Sequence, residues 1–267
     1  MGNEKNSLTD KRYWDEDWKT IARENQTFEE LKLRISPTII SFTSILSKYI
    51  KPNDKVFEIG AAPGFWLANI SKQLGGRVYG IDYSEIGCRF MKKLFEKRKV
   101  KGEIINGDVF DDKFLAKYNK FFDVVYSLGF IEHFADPLPA VAAHIRLLRQ
   151  DGLMIITIPN YGEGSFYRWT YQRRGLEHII NTRHNTALFS LQAFQDCFKH
   201  FKEIEVLSLG YQGPLEIQEL VPTTGFFSHL KLQYFLEPLA LFTGILTLSM
   251  KSRIFSRSLL AIARKTK

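Results

Sequence analysis

Residues 55–66, KVFEIGAAPGFW, constrain what this chain can fold into more than any other stretch of it. Val56, Phe57 and Ile59 form a short apolar run of the kind a strand shows when both its faces are buried. The run stops at Gly60, turns through small residues to Gly64 and enters a helical pattern. The two glycines let a backbone turn sharply and approach a ligand without an intervening side chain. A helix starting near Gly64 presents unpaired N–H groups and the positive end of its dipole to whatever occupies the turn. The stretch predicts a nucleotide-sized site at the end of a first strand.

The rest of the chain keeps a strand–helix rhythm. Residues 37–49 place Ile39, Ile40, Phe42, Ile45 and Leu46 near helical spacing, and residues 65–74 read as a helix closed by Gly75-Gly76. Strands are predicted at 77–81, 103–105, 122–126 and 152–158, with helices at 84–99, capped by Ser84, and 137–148 between them. The last two strands are read at 202–209 and 256–263. Such alternation predicts an α/β fold with a doubly wound, Rossmann-like sheet, its loops after the strands gathered along one edge. We read residues 1–267 as a single domain with three additions. Residues 1–36 form an N-terminal helical cap whose Trp14 and Trp18 dock on the domain, cover the ligand, or do both. Residues 161–185 form an insertion rich in aromatics and arginine, and residues 210–253 an apolar insertion before the last strand.

Composition narrows the class. With 45% hydrophobic and 25% charged residues, the chain has the make-up of a globular protein able to bury a substantial core. Cys88 and Cys197 stand far apart with no CxxC or Cys/His cluster, which speaks against a disulfide scaffold or structural zinc. No metal site is expected, and a reducing, cytoplasmic setting fits. The net charge of +8 is concentrated in residues 92–101 and 251–267. Runs of this kind are solvated faces or contacts with an anionic surface.

Asp82 ends the second strand, where nucleotide-binding folds place an acid against ribose hydroxyls. Asp108, in Gly107-Asp108, follows the third strand. The turn from Gly60 to Gly64 is shorter than a dinucleotide GxGxxG and contains proline, so the set points to a mononucleoside ligand. On VFEIGAAPG, VYGIDYSE, NGDVF and FDVVYSLGFIEHFADP, residues 55–160 resemble the class I S-adenosylmethionine-dependent methyltransferases. The last run is similar to the small-molecule branch that includes ubiquinone- and menaquinone-biosynthesis enzymes. The resemblance implies a seven-stranded sheet, mostly parallel with the last strand antiparallel, and S-adenosyl-L-methionine as cofactor. By the same resemblance, Glu58, Gly60 and Gly64 shape the pocket for the methionine part, with Ala62 where the family commonly has glycine. Asp82 then holds the ribose with Tyr83 beside the adenine, and Asp108 and Val109 meet the adenine edge. Ser127 and Leu128 line the passage to the methyl group.

Glu132 and His133 follow the fourth strand, near where an acceptor belongs, and are the candidate catalytic pair. His133 is read as a general base toward an acceptor hydroxyl, or as a structural histidine. His178 and His184 are secondary candidates, and Trp66 is read first as helix packing and second as a cofactor contact. Transfer from an activated sulfonium depends chiefly on alignment, so a sharp catalytic constellation is not required. The acceptor is expected to be a small molecule, lipophilic or glycan-linked. Arg168, Arg173, Arg174 and Arg183 either read a phosphate or carboxylate on it or stay solvated. Residues 238–250 carry no charge over thirteen positions, short of the ~20 a bilayer span needs. The region 226–250 is read as a buried lid, a homodimer face, or an interfacial, peripheral membrane contact. Two other functions are kept. GAAPGFW resembles the opening motif of ribose 2′-O ribosomal RNA methyltransferases, but their lysine-and-acid tetrad is not assembled here, so a nucleic-acid partner is disfavoured. A non-catalytic cofactor-fold protein binding a partner is the other.

Overall fold

Strand β1 (Lys55–Ile59) is enclosed from Val56 onward because helices cover both faces of the sheet it belongs to. The computed structural model describes residues 6–24, 36–217 and 232–267. β1 lies between β2 (Arg77–Asp82) and β4 (Phe122–Leu128), parallel to both. β3 (Gly102–Asn106) extends the β2 side and β5 (Leu148–Pro159) the β4 side, again parallel. β7 (Ser258–Lys265) runs antiparallel between β5 and β6 (Ile204–Gln212). The order β3-β2-β1-β4-β5-β7-β6 is the expected doubly wound, seven-stranded sheet with its last strand reversed.

Alternate residues of the central strands feed two separate cores. Phe57, Ile59, Val125 and Ile156 face one, with helices α5 (Asp112–Lys117), α6 (Leu138–Leu147) and α9 (Leu191–Lys199) laid over it. Val56, Val124, Tyr126 and Ile155 face the other, under α2 (Pro37–Leu46), α3 (Phe65–Asn69, extended by a π turn over Ile70–Leu74) and α4 (Glu85–Arg98). This two-sided burial explains why the strands read as continuous apolar runs. Lys265, buried on β7, donates to the carbonyls of Ile145 (2.7 Å) and Leu148 (2.8 Å), satisfying acceptors at the end of α6.

The cap begins with helix α1 (Lys11–Glu24), which packs on α4. Helices α7 (Phe166–Arg173) and α8 (Glu177–Arg183) occupy the aromatic insertion, and α10 (Leu232–Leu246) lies between β6 and β7. Three boundaries differ from expectation. Helix α5, a single short turn capped by Asp111, has too little periodicity to be read. β5 begins at Leu148 because α6 passes directly into it. β6 continues to Gln212, so the apolar insertion starts beyond 212 rather than at 210. Residues 25–35 of the cap and residues 226–231 of the expected contact region lie outside the described residues.

Candidate active site

The strand order reverses between β1 and β4, and a doubly wound sheet opens a crevice at that point beyond the carboxyl ends of its strands. The turn after β1 forms one lip. Gly60 (φ +70°) and Gly64 (φ +87°) both occupy the left-handed region, and a Cβ on Gly64 would lie 2.4 Å from Met91 Cγ. Only glycine fits there. Ala62 is not among the residues with positive φ, so its methyl group is accommodated; the Ala62–Pro63 peptide is cis.

Asp82 binds this turn to the end of β2. Its carboxylate accepts hydrogen bonds from the backbone N–H of Ala62 (3.1 Å) and Ser84 (2.9 Å). Burial pushes its pKa up to about 6, while those two bonds hold it down. Glu58 lies on the α3 side of β1, fully buried, and accepts from the Tyr126 hydroxyl at 2.8 Å. Desolvation holds its carboxyl well above the usual carboxylate range. Tyr83 follows Asp82, its hydroxyl bonded to Thr9 and its pKa raised by burial and by Asp82. Val109 is buried, whereas Asp108 is exposed and closes an Asx turn through Phe110 N–H (2.9 Å).

The other lip is the segment after β4. Leu128 and Gly129 line a cleft of about 360 Å³ that continues the crevice toward β5 and β7. Ser127 does not face it. Its hydroxyl is fully buried 3.0 Å from His144 Nε2, and His144 Nδ1 lies 2.7 Å from the Ala140 carbonyl. Burial depresses His144 to about 4, so the ring is neutral; Nδ1 donates to Ala140 and Nε2 accepts from Ser127. Ser127 is thus an anchor of β4 on α6 rather than the lining residue the resemblance implies.

Glu132 and His133 share the 3₁₀ turn Ile131–His133, and both line the cleft. The Glu132 side chain is 1% exposed, and its Oε2 is one of two buried side-chain polar atoms without a hydrogen-bond partner among the described residues. Desolvation pushes its pKa up to about 8. His133 is depressed to about 4, first by burial and then by His184, whose ring centre is 4.8 Å away. The neutral His133 donates from Nδ1 to the Arg183 carbonyl (2.9 Å), and Trp14 meets its ring edge-on at 5.1 Å. The cleft is also lined from α2, through Thr38, Ser41 and Phe42, and by Tyr161, Tyr167 and Tyr171. Trp66 packs edge-on against Phe42 (4.9 Å) and also lines the cleft, so packing is only half of its placement.

The remaining candidates are placed differently. Arg168 is engaged by Glu177 at 2.8 Å, and Arg183 lies over the Tyr13 ring and donates to its hydroxyl. These two are occupied within the protein rather than open to an anion. His178 is exposed and is not a cleft residue. Sequence reading missed Tyr167, Glu216 and Arg257. The Tyr167 hydroxyl donates to the Pro214 carbonyl (3.0 Å) and accepts from Glu216 N–H (3.1 Å), while the Glu216 carboxylate accepts from Thr38 and Arg257. The partners come from four distant segments, so no local spacing announces them.

The N-terminal segment crosses both lips. Leu8 N–H donates to the His133 carbonyl (2.7 Å), and Asn6 exchanges hydrogen bonds with Asp136. Asp15 accepts from the Ser84 hydroxyl (2.6 Å), and Trp18 packs on Gly87, whose added Cβ would meet the indole nitrogen at 3.0 Å. This strap docks on the domain, reaching from the Asp82 side to the His133 side.

A family model described as a methyltransferase domain matches residues 29–201. A ubiquinone biosynthesis O-methyltransferase from Thiobacillus denitrificans is 28% identical over 172 residues, 64% of this chain and 68% of that protein. A ribosomal RNA large subunit methyltransferase E from Desulfatibacillum aliphaticivorans is 36% identical over 84 residues, 30% of this chain and only 37% of that protein. Among solved structures, the complex between the Haloferax volcanii Trm112 methyltransferase activator and a methyltransferase aligns with a TM-score of 0.61 at 16% identity, over 95% of this chain and 98% of that one. The plantazolicin methyltransferase BamL, solved with a triazolic desmethylPZN analog and SAH, aligns with a TM-score of 0.60 at 16% identity, over 96% of each chain. At such identities the structural likeness speaks for the fold.

Proposed function

From a chain that belongs to the methyltransferase domain family, as a class I S-adenosylmethionine-dependent enzyme, we propose methyl transfer to a small, apolar-bodied acceptor that presents a hydroxyl or amine to Glu132. The observation that carries this reading is the buried, unpartnered Glu132 Oε2 on the wall of an aromatic-lined cleft. A buried carboxylate oxygen without a donor is expensive, and an acceptor O–H or N–H supplies one.

The residues present fit the cofactor. The left-handed Gly60 and Gly64 permit the tight turn that brings the Ala62 N–H to Asp82, and Asp82, oriented by two N–H groups, keeps lone pairs for ribose hydroxyls. Tyr83 and Val109 would flank the base, and Leu128 with Gly129 the passage to the acceptor. When bound, S-adenosylmethionine supplies an electrophilic sulfonium methyl.

The chain's own residues do the rest. Phe42, Trp66 and Tyr161 exclude water and hold the acceptor's apolar body, so that its heteroatom and the methyl group meet in line. Glu132 would take up at Oε2 the proton that the acceptor heteroatom loses on methylation. A pKa of about 8 leaves a useful ionised fraction at neutral pH together with a strong pull on that proton. His133, at about 4, is too weak a base for the task and acts as a positioning residue: its Nδ1–H bond to Arg183 and its contact with Trp14 fix the turn that carries Glu132.

The test begins with calorimetry of S-adenosylmethionine against the native protein, Asp82→Ala and Glu132→Gln. Native protein and Glu132→Gln are expected to bind alike, and Asp82→Ala at least about tenfold more weakly. A labelled methyl donor with a panel of phenols, quinols and cellular lipid extracts then reads transfer, which Glu132→Gln should lower about 100-fold or more. Undiminished transfer in Glu132→Gln would falsify the assignment. The match to the ribosomal RNA enzyme favours a second reading, and methylation of RNA with none of the small-molecule panel would replace the first.

A further inference from the structure

Helix α10 is built the wrong way round for a protein surface. Its outward positions Leu239, Phe242, Ile245 and Leu246 are apolar, with Phe242 60% and Leu246 69% exposed. Its inward positions are small: Ala240 is buried, and a Cβ on Gly244 would lie 2.4 Å from Pro37 of α2. A surface helix ordinarily turns its polar face to water. Exposed apolar faces of this size mark interaction sites.

The apolar face continues past the helix. The loop after α10 exposes Ile254 and Phe255 and is folded on itself by Ser256, which bonds Met250 O and Ser252 N–H. Phe166 N–H donates to the Ile254 carbonyl, and the Phe166 ring neighbours both Phe255 and the exposed Trp169. The loop is also fixed to the end of β5, because Asn160 donates to the carbonyls of Arg253 and Ser256. The patch therefore borders the cleft on two sides. α2 turns Thr38, Ser41 and Phe42 into the cleft and Ile40 outward, and α7 turns Tyr167 inward and Trp169 outward.

Charge selects the occupant. Residues 238–257 contain no Asp or Glu, and Lys251 and Arg253 are exposed on the loop beside Ile254 and Phe255. Arg173, also exposed, lies over Trp169. Over residues 238–257 the charges are all cationic, so this stretch would meet its counterpart in a second copy with like charge. It does complement an anionic phospholipid surface, where basic residues meet headgroups and the apolar side chains enter the acyl boundary. A helix of fifteen residues is about 22 Å long, short of the ~30 Å hydrocarbon core, so it lies in the interface. No described helix is long and apolar enough to cross a membrane.

We infer that α10 and the 251–255 loop dock the protein on anionic membranes and set the cleft mouth against the lipid, so that the acceptor is a membrane-resident lipid or lipid-anchored molecule. Docking stands by itself, whereas delivery of the acceptor rests on the cleft being the acceptor site, as proposed above.

The experiment is co-sedimentation of the full chain with phosphatidylcholine vesicles, with and without phosphatidylglycerol. The native protein should pellet with the anionic vesicles and be released by salt. The double variant Phe242→Ser/Leu246→Ser should need at least about tenfold more lipid for half-binding. Lys251→Glu/Arg253→Glu should remove the preference for the anionic vesicles. All forms should bind S-adenosylmethionine equally by calorimetry, which shows that the variants fold. Equal pelleting of native protein and the Phe242/Leu246 variant overturns the inference, as does no pelleting at all. So does light scattering that finds a dimer lost in that variant without vesicle binding, which would assign the face to a second copy. Because pelleting uses neither donor nor acceptor, a negative methyl-transfer result leaves docking untouched, and failed docking leaves methyl transfer untouched.

Discussion

Glu132 should leave a signature in stability that is independent of turnover. Its carboxyl is raised from the ordinary 4.5 to about 8 because burial disfavours the anion. A group raised in the folded state binds more protons folded than unfolded between those two values. Its contribution is therefore fully present below about pH 4.5 and is lost as pH rises through about 8. Glutamine carries no such penalty, so Glu132→Gln should match the native protein near pH 5 and exceed it near pH 9. The gap there is at most roughly 3–5 kcal/mol, read as a thermal midpoint several degrees higher. Parallel melting curves at both pH values would show that Glu132 is not the buried, titrating group described here. His133 and His144 act in the opposite direction, since burial lowers both to about 4 and stability then rises with pH between about 4 and 6.5. At this scale the sequence showed residue types but not their surroundings. The run IEHF marked Glu132 and His133 together, but which of them we propose as the base depends on Trp14, Arg183 and His184, which lie far away along the chain.

At the scale of elements, the strands and the turn after β1 were readable because they obey local rules. Continuous apolar runs follow from burial on both faces, and Gly60 and Gly64 are demanded by positive φ. The cap and the insertions were not readable in the same way, because long-range contacts place them. Nothing in residues 6–18 announces that Leu8 binds the His133 carbonyl or that Asp15 holds Ser84. Ser84 was legible as an N-cap, and it is one, accepting from Gly87 N–H at 3.0 Å; its second bond, to the strap, was hidden. Asp15→Ala removes that bond while leaving the cap. We expect a loss of about 1 kcal/mol, faster proteolytic cutting within α1, and an unchanged protease-resistant body. Cutting at the native rate would mean that the strap is held by its other contacts alone.

Over the whole molecule, the sheet is closed by its final strand. Lys265 satisfies two carbonyls at the junction of α6 and β5 from a strand synthesised more than a hundred residues later. Replacing it with methionine leaves both acceptors buried without a donor. Lys265→Met should therefore lower stability by about 2–4 kcal/mol, visible as a lower urea midpoint with little change in slope. An unaltered midpoint would show that water takes over the two bonds. β7 also pairs on both sides, with β5 and with β6, so it is an interior strand although it comes last in sequence. During synthesis β6 emerges without a neighbour and stays so until residues 258–265 follow, roughly 45 residues later. At typical elongation rates that is an interval of about 2–9 s, in which an unpaired strand edge and the apolar α10 are exposed together. The newborn chain is thus most vulnerable to misassembly just before its last ladder closes, and there a chaperone has the most to offer it.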